Sequence, residues 1–338
     1  MTARAVVELI LPGLLTPWPQ AGQPGFPMPD APSLTRLLSR ARVEAGGVGE
    51  AQTLLADRFG LPLRGLPLAP LAALGDGLAV NESEWWLRIE PVYLRPDRDR
   101  VLLFGVELDA GESVQLRELV ESHFADDGLE LLEPKPGGWY LRLHEDPGAV
   151  FSPPASIPGA DIADHLPQGE QGRRWRSWLN EVQMLLHECE LNRRREMRGL
   201  VPVTGLWPWG AGRLPAISGS PTTRLIGGGS LAKGLASRAG IGYEELPVDA
   251  EPCLGSTRDH ALVVIDDPGW PRWQGDPFAW SNAVEDWEHR WFSPLEKALR
   301  AGVIDAFVFH AGNGRSYRIG RGGMRKFWRA RRALTGFL

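Results

Sequence analysis

Strands of buried type alternate with amphipathic helices at both ends of this 338-residue chain, which predicts an α/β protein with a sheet between helix layers. Two further observations point the same way. Apolar residues make up 43% of the chain, enough to bury the core of one large domain or two smaller ones. The middle of the chain changes character, and its antiparallel-looking strands predict a smaller α+β insert.

Residues 6–11 read as a first buried strand. The apolar run after Arg4 imitates a signal peptide, but Glu8 inside it and the lack of a clear small-residue cleavage site favour the strand. A proline-rich loop follows, and Ser33 stands where it can cap a helix carrying Leu34, Leu37, Leu38 and Ala41. Residues 85–89, 101–104 and 139–143 read as strands, with a helical pattern over 112–124 between the last two. The proline-rich stretch 152–167 marks a crossover. Beyond it, Trp175, Trp178, Leu179, Val182, Leu185 and Leu186 form one helical stripe, and 231–239 is a helix stopped by Gly240. Residues 261–265 are a continuous apolar strand of the parallel-sheet type. Asp276-Pro277 supplies the cap and first turn of a helix running to 299, with Ala283, Val284, Trp287, Trp291 and Leu295 inward. Residues 306–309 form a last strand, and a basic helix over 315–338 closes the chain. The core is therefore expected to take residues 1–90 and 165–338, and the insert 91–164.

Charge is unevenly spread. Residues 315–338 hold eight basic side chains and no acid, so the rest of the chain carries a net charge of −13. The basic segment includes Arg325, Lys326, Arg329, Arg331 and Arg332, with Met324, Phe327, Trp328 and Leu334 on one helical face. Docking of that face on the acidic body is one reading; binding of a polyanion such as nucleic acid is the other. Fourteen tryptophans make the chain tryptophan-rich. Cys189 and Cys253 are too few for a disulfide scaffold and lack metal-ligand spacing, so a reducing, cytoplasmic setting is expected. No apolar run is long enough to span a bilayer, and no membrane partner is expected.

Motifs with chemistry are sparse. There is no HExxH, no paired-cysteine motif, no phosphate loop and no GxGxxG after a strand. Gly227-Gly228-Gly229-Ser230 before a helix serves either as a tight turn or as an anion cradle of backbone N–H groups. His187 reads as a packed or capping residue, and Gly312-Asn313-Gly314 as a turn.

The order of several segments resembles the archaeal-type cofactor-independent phosphoglycerate mutases of the alkaline phosphatase superfamily. Asn192-Arg193-Arg194-Arg195-Glu196-Met197-Arg198-Gly199, then Pro202, then the strand 206–212 ending Gly210-Ala211-Gly212, is similar to that family's central signature. Ala31-Pro32-Ser33-Leu34-Thr35-Arg36-Leu37, Pro70-Leu71-Ala72-Ala73-Leu74-Gly75-Asp76-Gly77 and Leu231-Ala232-Lys233-Gly234-Leu235-Ala236 resemble three further family segments in the same order. The resemblance implies an alkaline-phosphatase-like α/β/α sandwich core with a smaller inserted α+β lobe.

It also implies a two-metal site beside a nucleophilic serine, in which metals clamp the transferring phosphoryl group. This chain departs from that pattern. Pro12-Gly13 stands where the family has Asp-Gly, Thr16 at a nearby acidic position, and Gly49 in the nucleophile region 47–51. Asp266 is kept in the Asp-x-x-Gly-His motif, but Trp270 replaces its histidine, and the late Asp-His pair reads His310-Ala311-Gly312-Asn313. Proline, glycine and tryptophan cannot ligate Mn²⁺ or Zn²⁺, so no metal cofactor and no confident catalytic residue are expected. Arg88, Arg195 and Lys233 match basic family positions and remain candidates for holding a phosphate or carboxylate, beside the plainer reading of salt bridges to the abundant acids. The expected function is thus a catalytically inactive, phosphoglycerate-mutase-like regulator or binder of a protein or small anion. The alternative is an active phosphomonoester mutase or phosphatase with a rearranged site.

Overall fold

The computed structural model describes residues 5–15, 17–62, 65–125, 129–135, 138–154, 161–217, 220–254, 259–266, 276–325 and 329–338. The chain packs into two units, Met1–Leu61 with Ile217–Leu338, and Pro62–Ala216.

The first unit is built on a seven-stranded sheet. Its strands are β1 (Val6–Ile10), β2 (Arg42–Val48), β8 (Arg224–Gly227), β9 (Gly242–Glu244), β10 (His260–Val264), β11 (Ala306–His310) and β12 (Asn313–Gly320), in the order β2-β12-β11-β1-β10-β8-β9. Strands β11, β1, β10, β8 and β9 are parallel; β12 runs antiparallel to β11 and to β2. Strand β1 lies at the centre, and all five of its residues are buried. Its alternate residues Val7 and Leu9 join Ala261, Val263, Phe307 and Phe309 in one large apolar core. Helices α1 (Pro32–Arg40), α8 (Pro277–Trp287) and α9 (Ser293–Ala301) also bury residues in that core. The alternation at both ends of the sequence therefore corresponds to one sheet with helices packed on it.

The second unit is an antiparallel sheet of β3 (Trp85–Asp97), β4 (Arg100–Gly105), β5 (Glu130–Lys135), β6 (Gly138–Leu143) and β7 (Gly205–Gly212). Helices α4 (Ala110–His123) and α5 (Gly172–His187) share a core with Leu87, Ile89, Trp139 and Leu141. Helix α3 (Leu68–Gly75) packs Ala69, Ala72 and Ala73 against Trp86 and Tyr140. The insert is thus wider than the expected 91–164. Strand β7 pairs with β3 from Trp86 to Val92, which draws α5, α6 (Glu190–Met197) and β7 into the insert.

The end of the chain is not the expected helix over 315–338. Residues Asn313–Gly320 are a strand because the local period is two: Tyr317 and Ile319 enter the core while Arg318 is exposed. Glycines 320, 322 and 323 are poor helix formers, and α10 (Arg321–Met324) is a single turn. Met324 and Leu334 are buried in the core; Lys326, Phe327 and Trp328 lie outside the described residues. The last residues dock on α1. Arg329 Nη1 donates to Ala41 O (3.3 Å), Arg331 Nε to Thr35 Oγ1 (2.7 Å) and the Arg332 backbone N–H to Ser39 Oγ (3.0 Å).

Helix α1 is also capped otherwise than expected. Ser33 makes no side-chain cap. Instead Glu288, in the π turn Glu288–Phe292 that joins α8 to α9, accepts from Ser33 N (2.7 Å) and Leu34 N (2.9 Å), and it is 2% exposed. A carboxylate on the free N–H groups of a helix start suits both the hydrogen bonding and the dipole. Glu288→Ala leaves those two N–H groups buried without a partner and is expected to lower stability by about 3 kcal/mol, against about 1 kcal/mol for Glu288→Gln. Urea denaturation of both variants checks the order.

Candidate functional site

Strand β1 carries one acid, Glu8, which is 2% exposed. Val6, Glu8 and Ile10 face the side opposite Leu9, and the parallel register sets His260 beside Val6 and His310 beside Ile10. The two histidines thereby flank Glu8 from the neighbouring strands. His260 Nε2 lies 2.7 Å from Oε1 and His310 Nε2 lies 2.9 Å from Oε2. Arg58, at the end of helix α2 (Ala51–Arg58), donates to the same carboxylate at 2.8 Å. Burial alone raises a carboxyl pKa, but the bonds from His260 and His310 and the charge of Arg58 outweigh it and hold Glu8 well below the usual range. An ionised carboxylate only accepts, so both Nε2 atoms carry hydrogen. A neutral His310 ring then presents Nδ1 to the Ser316 hydroxyl, 2.8 Å away.

Hydroxyl, imidazole and carboxylate in that order are the parts that activate a nucleophile. Here the hydroxyl is covered. Ser316 is buried, and a Cβ placed on Gly46 of β2 would stand only 2.5 Å from its Oγ. The relay therefore fixes two histidines, one from each neighbour of the central strand. Sequence reading missed this cluster, whose one local signal was an acid inside an apolar strand.

The positions that the family resemblance singles out meet at the carboxyl end of the same sheet. Gly49 N donates to Gly312 O (3.1 Å), and Gly13 N donates to Ala311 O (3.2 Å). A Cβ on Gly312 would meet Gly49 O at 2.6 Å and Pro12 Cβ at 2.8 Å. Gly49 has φ of 121° and Gly312 has φ of 73°, conformations that favour glycine. Glu50 stands at this edge, where desolvation and the nearby Asp266 carboxylate push its pKa up. Thr16 and Trp270 lie outside the described residues. A two-metal site needs several oxygen or nitrogen side chains converging. Pro12, Gly49 and Gly312 offer none, and among the described residues no group of three or more His, Cys, Asp or Glu is placed to hold an ion. The residues present do not fit the family's metal pair.

The candidate basic residues have separate surroundings. Arg88 of β3 bonds Glu90 (3.2 Å) and Tyr140 OH (3.1 Å), and its guanidinium lies over the rings of Tyr140 and Trp209. Tyr140 in turn donates to Asp76 at 2.6 Å. Arg195 of α6 is 4% exposed; it pairs with Glu112 and donates to the carbonyls of Val201 and Glu107. Those partners pin α6 to α4 and the following loop. Lys233 is exposed on α7 (Gly229–Ala239) of the first unit. The glycines before α7 all have positive φ, and a Cβ on Gly227 would collide with Val264 O, so a tight turn accounts for them. Arg325 is exposed, Arg329, Arg331 and Arg332 contact α1, and Lys326 lies outside the described residues.

A depressed carboxylate pKa stabilises the fold above the unfolded value and loses that contribution as pH falls. Stability is therefore expected to decline below about pH 5, near the ordinary carboxylate range. Glu8→Gln should cost about 2 kcal/mol at neutral pH, because it leaves the half-buried Arg58 guanidinium without its counter-charge and turns an amide NH₂ toward a hydrogen-bond donor, and it should flatten the acid limb. Urea melts from pH 3 to 7 on both proteins make the comparison.

No family model matches the chain. It is 28% identical over 249 residues to a probable 2,3-bisphosphoglycerate-independent phosphoglycerate mutase of Geobacter sulfurreducens, covering 67% of this chain and 62% of that protein. It is 26% identical over 254 residues to a mutase of the same description from Methanosarcina barkeri, covering 68% of this chain and again 62% of the relative. The chain thus spans less than two thirds of the length of these relatives. Among solved structures it is similar to the cofactor-independent phosphoglycerate mutase of Thermoplasma acidophilum, with a TM-score of 0.50 at 16% identity over 99% of this chain and 94% of that one. A Pyrococcus horikoshii protein gives a TM-score of 0.56 at 14% identity over 95% and 88%. By sequence the chain is similar to 2,3-bisphosphoglycerate-independent phosphoglycerate mutases, and it has the alkaline-phosphatase-like fold of the solved structures it resembles.

Proposed function

We propose that this chain is a phosphoglycerate-mutase-like protein that has given up two-metal phosphoryl transfer and acts by binding or regulation. One observation carries the reading: Pro12, Gly49 and Gly312 pack together where the resemblance puts a metal ligand, the nucleophile and the late ligand pair. Phosphoryl transfer of that type depends on positioning and charge neutralisation by the ions, and these residues have no side-chain atom to hold them. The Ser316–His310–Glu8 relay does not replace the nucleophile, since its hydroxyl is buried beneath β2.

Protein purified without chelator is expected to carry no stoichiometric Mn²⁺ or Zn²⁺ and to show no mutase turnover with either ion added. Two bound transition-metal ions per chain, or turnover that EDTA abolishes, would defeat the proposal and favour the active, rearranged site.

Restoring the hydroxyl alone should not restore activity. Gly49→Ser is expected to leave turnover at background and to lower stability by about 1–2 kcal/mol, because the backbone at φ 121° disfavours a side chain. A coupled mutase assay and a thermal melt on the variant measure both effects.

A further inference from the structure

We propose that the arginines of the last segment, seated on α1, form a surface for the phosphate backbone of duplex nucleic acid, bound without regard to base sequence. Elsewhere several arginines of this chain meet carboxylates: Arg36 takes Glu296, Arg58 takes Glu8, Arg142 takes Glu130 and Arg224 takes Asp259. The residues outside 315–338 carry a net charge of −13, so carboxylates abound. The last segment docks without them.

Arg329 Nη1 donates to the carbonyls of Arg40 (3.5 Å) and Ala41 (3.3 Å), and Arg331 Nε to Thr35 Oγ1 (2.7 Å). Arg332 donates from Nη2 to Gly336 O (3.3 Å), with its guanidinium over the Phe337 ring. Arg40 Nη1 donates to Met324 O (2.7 Å). All of these acceptors are neutral, so the side chains are positioned while their charges stay uncancelled. Arg325 is exposed and has no partner among the described residues. The residue after Ala41 adds to the field. Arg42 of β2 stands directly opposite Arg318 of β12, and Glu44, 3.5 Å from Arg42, is the carboxylate that answers the pair. Thr35 and Ala41 are about 9 Å apart along α1, a length over which a duplex carries about five phosphate charges.

The composition of the surface selects the partner. A protein partner needs an interface core that is depleted of charge and built on apolar anchors. Here Met324, Leu334 and Phe337 belong to the protein's own core, and none of the exposed large apolar side chains falls within 321–325 or 329–338. That lack equally disfavours insertion into a bilayer. Interfaces with nucleic acid are instead polar and strongly positive, and a guanidinium fork matches a phosphate. Single strands are held by bases stacked on aromatic faces. The described aromatic residue of this segment, Phe337, is buried beneath Arg332, so the contacts on offer are to the backbone of a duplex.

The full chain can be titrated into a labelled DNA duplex and followed by fluorescence anisotropy. Saturable binding is expected at low salt, equal for duplexes of unrelated sequence. With about four phosphate contacts, affinity should fall about a hundredfold between about 50 and about 200 mM salt. Arg325→Gln, at a side chain with no hydrogen bond or ion pair among the described residues, should lower the logarithmic salt slope by about 0.9. Arg329→Gln with Arg332→Gln should weaken binding about tenfold, whereas Arg329→Lys with Arg332→Lys should retain it, which separates loss of charge from loss of docking. Four results would each overturn the assignment: no saturation at low salt, an affinity indifferent to salt, an unchanged slope in Arg325→Gln, or binding to a single strand, to polyglutamate or to phosphatidylserine vesicles as tight as to the duplex at equal charge. Mutase activity enters none of these readouts, so the result stands apart from the question of catalysis.

Discussion

A carboxylate in the middle of a fully buried central strand has to be answered by its neighbours, and Glu8 recruits one from every side. His260 comes from β10, His310 from β11 and Arg58 from the end of α2, while Ser316 of β12 turns the His310 ring. Four elements are thereby tied to β1, three directly through Glu8 and β12 through His310. Such a cluster is weak as a source of net stability, since well-packed apolar groups can do as well. Its effect is on specificity. Any register slip by one residue would swing Glu8 into the face of Leu9 and Phe309 and strand the histidines on the other side. The network thus fixes the order and register of the strands whose carboxyl ends bring Pro12, Gly49 and Gly312 together.

That end of the sheet shows that a fold and a site placed on it rest on very different numbers of residues. Dozens of buried apolar residues specify the sandwich, and losing any one costs a few kcal/mol. A metal site depends on a few side chains, each without a substitute. With Pro12, Gly49 and Gly312 at this edge the strands align through backbone bonds between the loops: Gly49 N to Gly312 O, and Gly13 N to Ala311 O. The fold survives on bonds that need no side chain. Function is read from the site and not from the sandwich.

Three of the five parallel strands were legible because buried strands write largely apolar runs, as at Val6–Ile10, His260–Val264 and Ala306–His310, whereas the four-residue β8 and three-residue β9 were not. Strand β2 was not, since Gly46 and Gly47 give no pattern and it is defined only by pairing with β12. The dense arginines of β12 imitated a helix face, although Tyr317 and Ile319 alternate with Arg318 at strand spacing. The insert boundary depends on β7 pairing with β3, more than a hundred residues earlier, and no local signal records that. The separation is greater still for Glu8 and its histidines, which lie 252 and 302 residues apart in the chain. Arg195 was found as a motif residue, but its buried pairing with Glu112 belongs to packing. Sequence singled out Pro12, Gly49 and the 310–313 segment by resemblance alone; their meeting at one edge of the sheet depends on backbone bonds between distant loops.

The contrast between an acidic body and a basic tail resolves on one nine-residue helix. At its start α1 takes the Glu288 carboxylate on its free N–H groups, and midway Arg36 pairs with Glu296. At its far end Arg329 donates to the Ala41 carbonyl, where cations suit the dipole. The acids thus gather at the start and middle of α1 and Arg329 stands at its end, each where the helix field favours it, while Arg331 reaches back to Thr35 near the start. The acceptors used by Arg329 and Arg331 are a carbonyl and a hydroxyl, both neutral. Hydrogen bonds to neutral oxygens fix where a guanidinium stands without cancelling its charge. Docking of the tail and attraction for a polyanion are therefore not opposed. The contacts with α1 hold the exposed Arg329, Arg331 and Arg332 in place, and their positive field remains directed outward.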